Sequence, residues 1–202
     1  MDTSSKSGSS SAAPERPVRR LVLFLLTISP FLLLLTLLAW GQLKSDGNPG
    51  GLLVHSDSGD VDVAVRMAPE FTGVDLVSGL QMNNEVVAGK IVMVDFWSSW
   101  CVACMAEAAD LAEVYDEYDD QQVEFVGIAI WDETGDSLRY LNRYGIEYPN
   151  IIDARGSTAV TYGVRGVPEK FFIDTEGRIV HKINGSVSKE RLREVIDGLL
   201  DS

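Results

Sequence analysis

Cysteine and histidine are scarce in this chain, with two of each in 202 residues. Two cysteines cannot build a disulfide framework, and without a second pair they cannot complete a four-cysteine zinc site. Basic residues are also few, 17 against 30 acidic ones, giving a formal net charge of −13. The imbalance is uneven: Lys6, Arg16, Arg19 and Arg20 against Asp2 and Glu15 leave residues 1–20 at +2, so the rest of the chain stands at −15. A body that acidic repels nucleic-acid phosphates and anionic lipid heads, and no basic stripe offsets it, which excludes a nucleic-acid partner. Internal repeats are absent too. The length allows one domain with a real core, plus appendages.

Long apolar runs are missing with one exception. Leu21 to Trp40 is twenty predominantly apolar residues, with no charge between Arg20 and Lys44. As a helix it would span about 30 Å, the thickness of a hydrocarbon core, and Pro30 is tolerated in such a span. The arginines before it predict a cytoplasmic amino terminus and an extracytoplasmic body, so the segment is expected to be a single-pass signal anchor. Ala39-Trp40-Gly41 leaves open a cleaved signal peptide, although the run is long for one. Residues 1–20 are Ser-rich and expected to be disordered, and residues 41–60 to be a flexible linker rich in Gly, Ser, Asp and Asn.

From residue 61 the pattern predicts a folded domain to residue 202. Val61, Val63 and Val65, then Val74 to Val77, suggest an opening hairpin or irregular strand pair. Ile91 to Trp97 is a near-continuous apolar run, the mark of a central strand covered on both faces. The spacing predicts a helix over Cys101–Tyr118 with Met105, Ala108, Leu111 or Ala112, Tyr115 and Tyr118 inward, then a strand over Val123–Ile130. A helix over Thr134–Tyr144 follows, with Leu138 and Leu141 inward. Strand, helix, strand, helix implies parallel strands joined by right-handed crossovers. A short strand or loop at 150–152 and a helical turn near 157–162 come next. Lys170–Asp174 and Arg178–Asn184 read as an antiparallel pair around Gly177, and Ser188 as the cap of a last helix bearing Leu192, Val195, Ile196 and Leu199.

Both cysteines lie in Cys101-Val102-Ala103-Cys104, between the central strand and the first helix of the domain. A dithiol that exchanges with disulfides needs one accessible thiolate and a second thiol near enough to resolve the mixed disulfide. A helix amino terminus presents unpaired N–H groups that favour thiolate at Cys101, and Cys104 is one turn further in. The alternative, a structural disulfide, closes so short a loop that it removes little chain entropy.

At these residues the sequence resembles the thioredoxin superfamily, and within it the membrane-anchored TlpA/ResA/CcmG-like thiol-disulfide oxidoreductases. The matching parts are Ala-Pro-Glu-Phe at 68–71, Gly89-Lys90, Phe-Trp-Ser-Ser-Trp-Cys-Val-Ala-Cys at 96–104 with Glu107, Tyr-Gly-Val-Arg-Gly-Val-Pro at 162–168 and Phe-Phe-Ile-Asp-Thr-Glu-Gly-Arg-Ile-Val at 171–180. The resemblance implies an α/β thioredoxin-like fold, a central mixed sheet flanked by helices and preceded by one transmembrane helix. It implies that Cys101 attacks and Cys104 resolves, that Pro168 is cis and faces the cysteines, and that Val167 offers backbone hydrogen bonds to a substrate strand. Trp100 is expected beside the thiols as a lid, and Trp97 in the core.

Two carboxylates join the site. Asp95 occupies the place where thioredoxins carry a buried Asp; desolvation would raise its pKa and suit it to relay a proton for Cys104, the alternative being an Asp bonded to backbone. Glu107, three residues after Cys104, is placed to tune the thiol pKa, or else is a solvated helix residue. Val102-Ala103 departs from the common X-Pro spacer, and Ala109 stands where a kinking Pro is typical. Glu169 gives Val-Pro-Glu, similar to CcmG-like proteins.

The reading is therefore a protein-disulfide oxidoreductase, a reductant outside the cytoplasm, needing no cofactor or metal. Its expected partners are protein thiols or disulfides, including the Cys-x-x-Cys-His of apocytochrome c, and a membrane electron donor. The alternative from another class is Sco-like copper delivery through Cys101, Cys104 and His181. A peroxiredoxin lacks support because the Thr and Pro that position a peroxidatic cysteine are missing before Cys101.

Overall fold

The computed structural model describes residues 26–37, 40, 59–118 and 122–202. The chain divides into two units, Met1–Gly50 and Gly51–Ser202. In the first, helix α1 is described over residues 26–37. Much of the expected span over 21–40, the tail over 1–20 and the linker up to residue 58 lie outside the described residues. Among those that are described, no helix is long and apolar enough to cross a membrane.

The second unit is built on β5 (Ile91–Trp97), whose seven residues are all buried. It pairs in parallel with β6 (Val123–Ile130) on one side and antiparallel with β8 (Glu169–Ile173) on the other. Neighbours on both edges and cover on both faces explain why its sequence is an unbroken apolar run with one charge, Asp95. β7 (Asn150–Asp153) adds in parallel to β6, and β9 (Arg178–Asn184) antiparallel to β8. The mixed sheet expected from the chain order is therefore present, with strand order β9-β8-β5-β6-β7 preceded at the outer edge by the short β1 (Gly59–Asp60).

The opening segments are arranged differently from the expected pair. β1 (Gly59–Asp60) and β2 (Arg66–Met67) both add to the outer edge of β9 and not to each other. Residues 61–65 bridge them, with Val61 and Val63 partly covered and Val65 exposed. The second extended piece starts earlier than expected: β3 (Thr72–Val74) turns at Asp75 and pairs with β4 (Gln81–Asn83). Asp75 makes that turn, accepting from the Val77 and Ser78 amides, and also takes the Asn150 amide at 2.7 Å, which pins the hairpin to β7. A Cβ on Gly73 would come within 2.9 Å of Ile151, so only glycine allows this approach.

Helix α2 (Val102–Tyr118) buries Cys104, Glu107, Ala108, Leu111, Val114 and Tyr118. Ala108, Leu111 and Tyr118 face inward as expected, whereas Met105, Ala112 and Tyr115 are only partly buried and Cys104, Glu107 and Val114 complete the inner face, so the helix is turned toward that side. Glu107 therefore turns inward and is no solvated residue. Helix α3 (Thr134–Tyr144) shows a similar shift: Ser137, Tyr140 and Leu141 are buried, whereas Leu138 is exposed at the rim. Helix α4 (Ser157–Tyr162) starts where Asp153 accepts the Ser157 and Ala159 amides. Helix α5 (Lys189–Leu200) is capped by Ser188, whose side chain accepts from the Arg191 amide. It lies beside α2, where Arg193 grips Glu117 through two hydrogen bonds and the Tyr118 hydroxyl donates to Asp197 at 2.7 Å.

Candidate active site

Strand β5 ends at Trp97, and the next four residues turn the chain into α2. Ser98 donates its hydroxyl to the Ile130 carbonyl at 2.7 Å, and the Cys101 amide donates back to Ser98 at 3.1 Å. Cys101 then stands at the N-cap of α2: its carbonyl accepts from Met105, and its sulfur accepts from the Cys104 amide at 3.1 Å. A serine or aspartate oxygen plays this part in most helices. Here the helix aims an N–H at the Cys101 sulfur, an interaction that strengthens when that sulfur is a thiolate.

Cys101 and Cys104 are joined in a disulfide with Cα atoms 5.2 Å apart. The expected accessibility of Cys101 is not found in this state, since the residue is 0 % exposed and Cys104 1 %. The loop before β8 is covered as well: the Val167–Pro168 bond is cis, and Val167, main chain included, has no exposed surface. What remains open around the pair is Val102, exposed by 77 %, and Trp100, exposed by 42 %. The Trp100 indole N–H donates to the Trp131 carbonyl at 3.3 Å, which holds the ring at the rim. Trp97 is the core aromatic expected, stacked on Tyr140 with its N–H donating to Asn150.

Asp95 and Glu107 are both buried, and the residue that explains how they can be is Lys170, which the sequence reading did not single out. Lys170 faces Asp95 directly across the β5–β8 ladder. Its ammonium has no exposed surface, lies 3.2 Å from Asp95 Oδ1 and donates to Glu107 Oε1 at 2.5 Å. Glu107 Oε2 accepts the Val187 amide at 2.8 Å. Burial raises the Asp95 pKa, with Lys170 opposing the rise. Burial likewise pushes Glu107 up to about 7; Lys170 opposes this and the Asp95 charge adds to it. For Lys170 burial works against the charged form, but the two carboxylates outweigh it and hold the ammonium above its ordinary range. One base serves two acids in a low dielectric, so burial favours the protonated form of each carboxylate more than in water.

Tyr140 and Asp132 were not foreseen, and Glu169 was noted only for the Val-Pro-Glu pattern. Tyr140 donates its hydroxyl to the Cys104 carbonyl at 2.9 Å; burial first, then the charges of Asp95 and Glu107, raise its pKa far above the usual phenol range. Asp132 accepts the Ser99 amide at 2.6 Å and the Ser99 hydroxyl at 2.8 Å, clamping the turn before Cys101 to the end of β6. Glu169, fully buried, accepts the Arg165 and Gly166 amides with one oxygen and pairs with Lys182 at 2.6 Å through the other. It thereby holds the loop that leads into Pro168. A lone charge inside an apolar strand, as at Asp95, was the available signal for a buried ionic partner. Nothing in the sequence located the Asp132 clamp.

His181 is not part of this constellation. Its Nε2 lies 3.1 Å from Asp60 Oδ1 on the β1–β9 edge, and among the described residues no group of His, Cys, Asp or Glu is arranged to hold a metal. The three ligands of the copper-delivery alternative are thus not brought together.

A model of the AhpC/TSA family matches residues 65–182. Thiol-disulfide oxidoreductase ResA from Bacillus thuringiensis subsp. konkukian is 33 % identical over 132 residues, covering 65 % of this chain and 75 % of the relative. Thiol:disulfide interchange protein DsbE from Allochromatium vinosum is 31 % identical over 137 residues, covering 67 % of this chain and 74 % of the relative. Among solved structures, a secreted Mycobacterium tuberculosis disulfide oxidoreductase homologous to E. coli DsbE superposes with a TM-score of 0.59 at 29 % identity, covering 64 % of this chain and 96 % of that one.

Proposed function

Because the chain belongs to the AhpC/TSA family and is a thiol-disulfide oxidoreductase of the ResA and DsbE kind, we propose that it acts as a reductant of protein disulfides outside the cytoplasm. Residues 21–40 tether it to the membrane with the amino terminus inside, and a membrane electron donor restores the dithiol. In each cycle the Cys101 thiolate attacks a substrate disulfide, forming a mixed disulfide and releasing one substrate thiolate. The Cys104 thiolate then attacks Cys101 Sγ, closing the Cys101–Cys104 bond and releasing the second substrate thiol. Two electrons pass from enzyme to substrate. Asp95 takes the Cys104 proton in that second step, and Val167 and Pro168 receive the substrate main chain once the partner has displaced what covers them.

The observation that carries the reducing direction is the buried trio of Asp95, Lys170 and Glu107. A strong oxidant such as DsbA owes its potential to a stabilised reduced form. Here the one cation among these groups is already matched by carboxylates, and Glu107 follows Cys104 by one turn on the same buried face. A thiolate at Cys104 would add negative charge beside two buried carboxylates that share one ammonium, so the reduced form gains little. A reduction potential near thioredoxin's, about −270 mV, is expected, and one near DsbA's, about −120 mV, would overturn the reading.

The substrate we favour is the Cys-x-x-Cys-His segment of apocytochrome c, because Val167-Pro168-Glu169 resembles the CcmG-like pattern. Replacing Cys104→Ser should trap that partner on Cys101 as a mixed disulfide in membranes. Capture of other secreted proteins without any apocytochrome would redirect the assignment of substrate.

A further inference from the structure

Trp131 is the only non-glycine residue among the described residues whose backbone lies in the left-handed region, at φ 50°. For a bulky residue that conformation is strained, and it persists only where the surroundings impose it. The surroundings here are specific. The indole lies on Gly156, where a Cβ would come within 2.6 Å of the ring nitrogen. The Trp131 carbonyl accepts the Trp100 indole N–H, and the next residue, Asp132, takes both the amide and the hydroxyl of Ser99. The end of β6 and the turn that carries Cys101 are thus fixed to each other, with two tryptophans on the outside.

Packing on Gly156 does not hide the ring. Trp131 stays 37 % exposed and Trp100 42 %, beside Val102 at 77 %. Meanwhile Cys101, Cys104, Val167 and Pro168 are covered. A protein approaching the disulfide therefore meets Trp100 and Val102 before it meets sulfur or the cis-proline loop, and Trp131, whose carbonyl holds the Trp100 indole, is the exposed aromatic next to them. An aromatic face also suits a domain with so large a negative charge, because it holds a partner without relying on charge attraction.

We propose that Trp131, together with Trp100, forms the docking platform for an apolar or aromatic side chain next to the cysteine of an extended polypeptide substrate, making Trp131 a specificity residue for protein substrates. This rests on the disulfide-exchange reading above. Packing on Gly156 fixes the Trp131 ring before the substrate arrives, so less ordering is needed on binding.

The test uses the full-length chain in detergent, reduced, with two oxidants. One is a peptide disulfide carrying Phe beside a cysteine, with an Ala version as control; the other is bis(2-hydroxyethyl) disulfide, too small to span the platform. Trp131→Gly, which suits the left-handed backbone, should raise KM for the Phe peptide about tenfold and erase the preference for Phe over Ala. Its rate with bis(2-hydroxyethyl) disulfide and its reduction potential should stay unchanged. Trp131→Phe should keep most of the preference. Equal losses with both oxidants, or an unchanged Phe preference in the glycine variant, would overturn the proposal. Failure of the underlying reading looks different: the wild-type chain would then be inert toward the small disulfide as well, and the platform would fall with it.

Discussion

Lys170 and Asp95 sit directly across from each other on antiparallel strands, both buried, with Nζ 3.2 Å from Oδ1. The ammonium makes its shorter contact with Glu107, to which it donates. Asp95 is thus the more weakly held carboxylate of the trio, and burial raises its pKa, which fits the relay proposed for it.

Removing the shared base should expose how much it supports. Lys170→Met strands two carboxylates in the interior, and breaking a buried pair this way costs about 3–5 kcal/mol. The loss should be largest at pH 8 and smaller at pH 5, where the acids can take up protons. Urea denaturation of the oxidised protein at both pH values measures it. Adding Asp95→Asn and Glu107→Gln should recover part of the loss.

Glu107 makes the folded state bind a proton that the unfolded chain has released. Its folded pKa of about 7 stands above the ordinary 4.5, so this group's contribution is full below pH 4.5 and declines as pH rises to 7. The integrated decline is on the order of 3 kcal/mol. Carboxylates with lowered values, such as Asp75, act in the opposite direction but below pH 3.8. Glu107→Gln should flatten stability between pH 5 and 7.5; an unchanged slope would place the retained proton elsewhere.

Gly127 lies across from Asp95 on β6, and a Cβ there would fall 1.7 Å from Asn150 Oδ1 and 2.9 Å from Trp97 Nε1. Gly127→Ala should break the Trp97–Asn150 hydrogen bond and destabilise the domain by about 1–3 kcal/mol or more, read from the urea midpoint. Tryptophan fluorescence should shift with it, since Trp97 must leave its place against Tyr140.

Glu169 links the loop before Pro168 to Lys182, which is only 7 % exposed. Glu169→Ala leaves that ammonium unpaired and two loop amides unsatisfied, a loss of about 3–5 kcal/mol. Glu169→Ala with Lys182→Met should lose less than the two single changes summed. Loop order still suffers in the double variant, so exchange with a protein disulfide should remain slow after stability recovers.

Periodicity and residue type carried much of this protein in one dimension. The apolar run 91–97 could only be a covered strand, the pair Cys101 and Cys104 could only lie at the entrance to a helix, and the strand and helix order implied a parallel core with a returning hairpin. These features depend on near neighbours in the chain, which is why a sequence reveals them. Tertiary structure decided the phase of α2 and α3, and with it that Glu107 points inward and Leu138 outward. It also decided that residues 75 positions apart, Asp95 and Lys170, meet in one ladder, and that Trp131 stands beside Trp100. Those outcomes follow from register and loop closure, which sum many weak contacts over distant segments. The cysteines, the carboxylates Asp95 and Glu107 and the neighbouring Trp100 were legible from the start; the Lys170 ammonium between the two carboxylates and the contact of Trp100 with Trp131 were not.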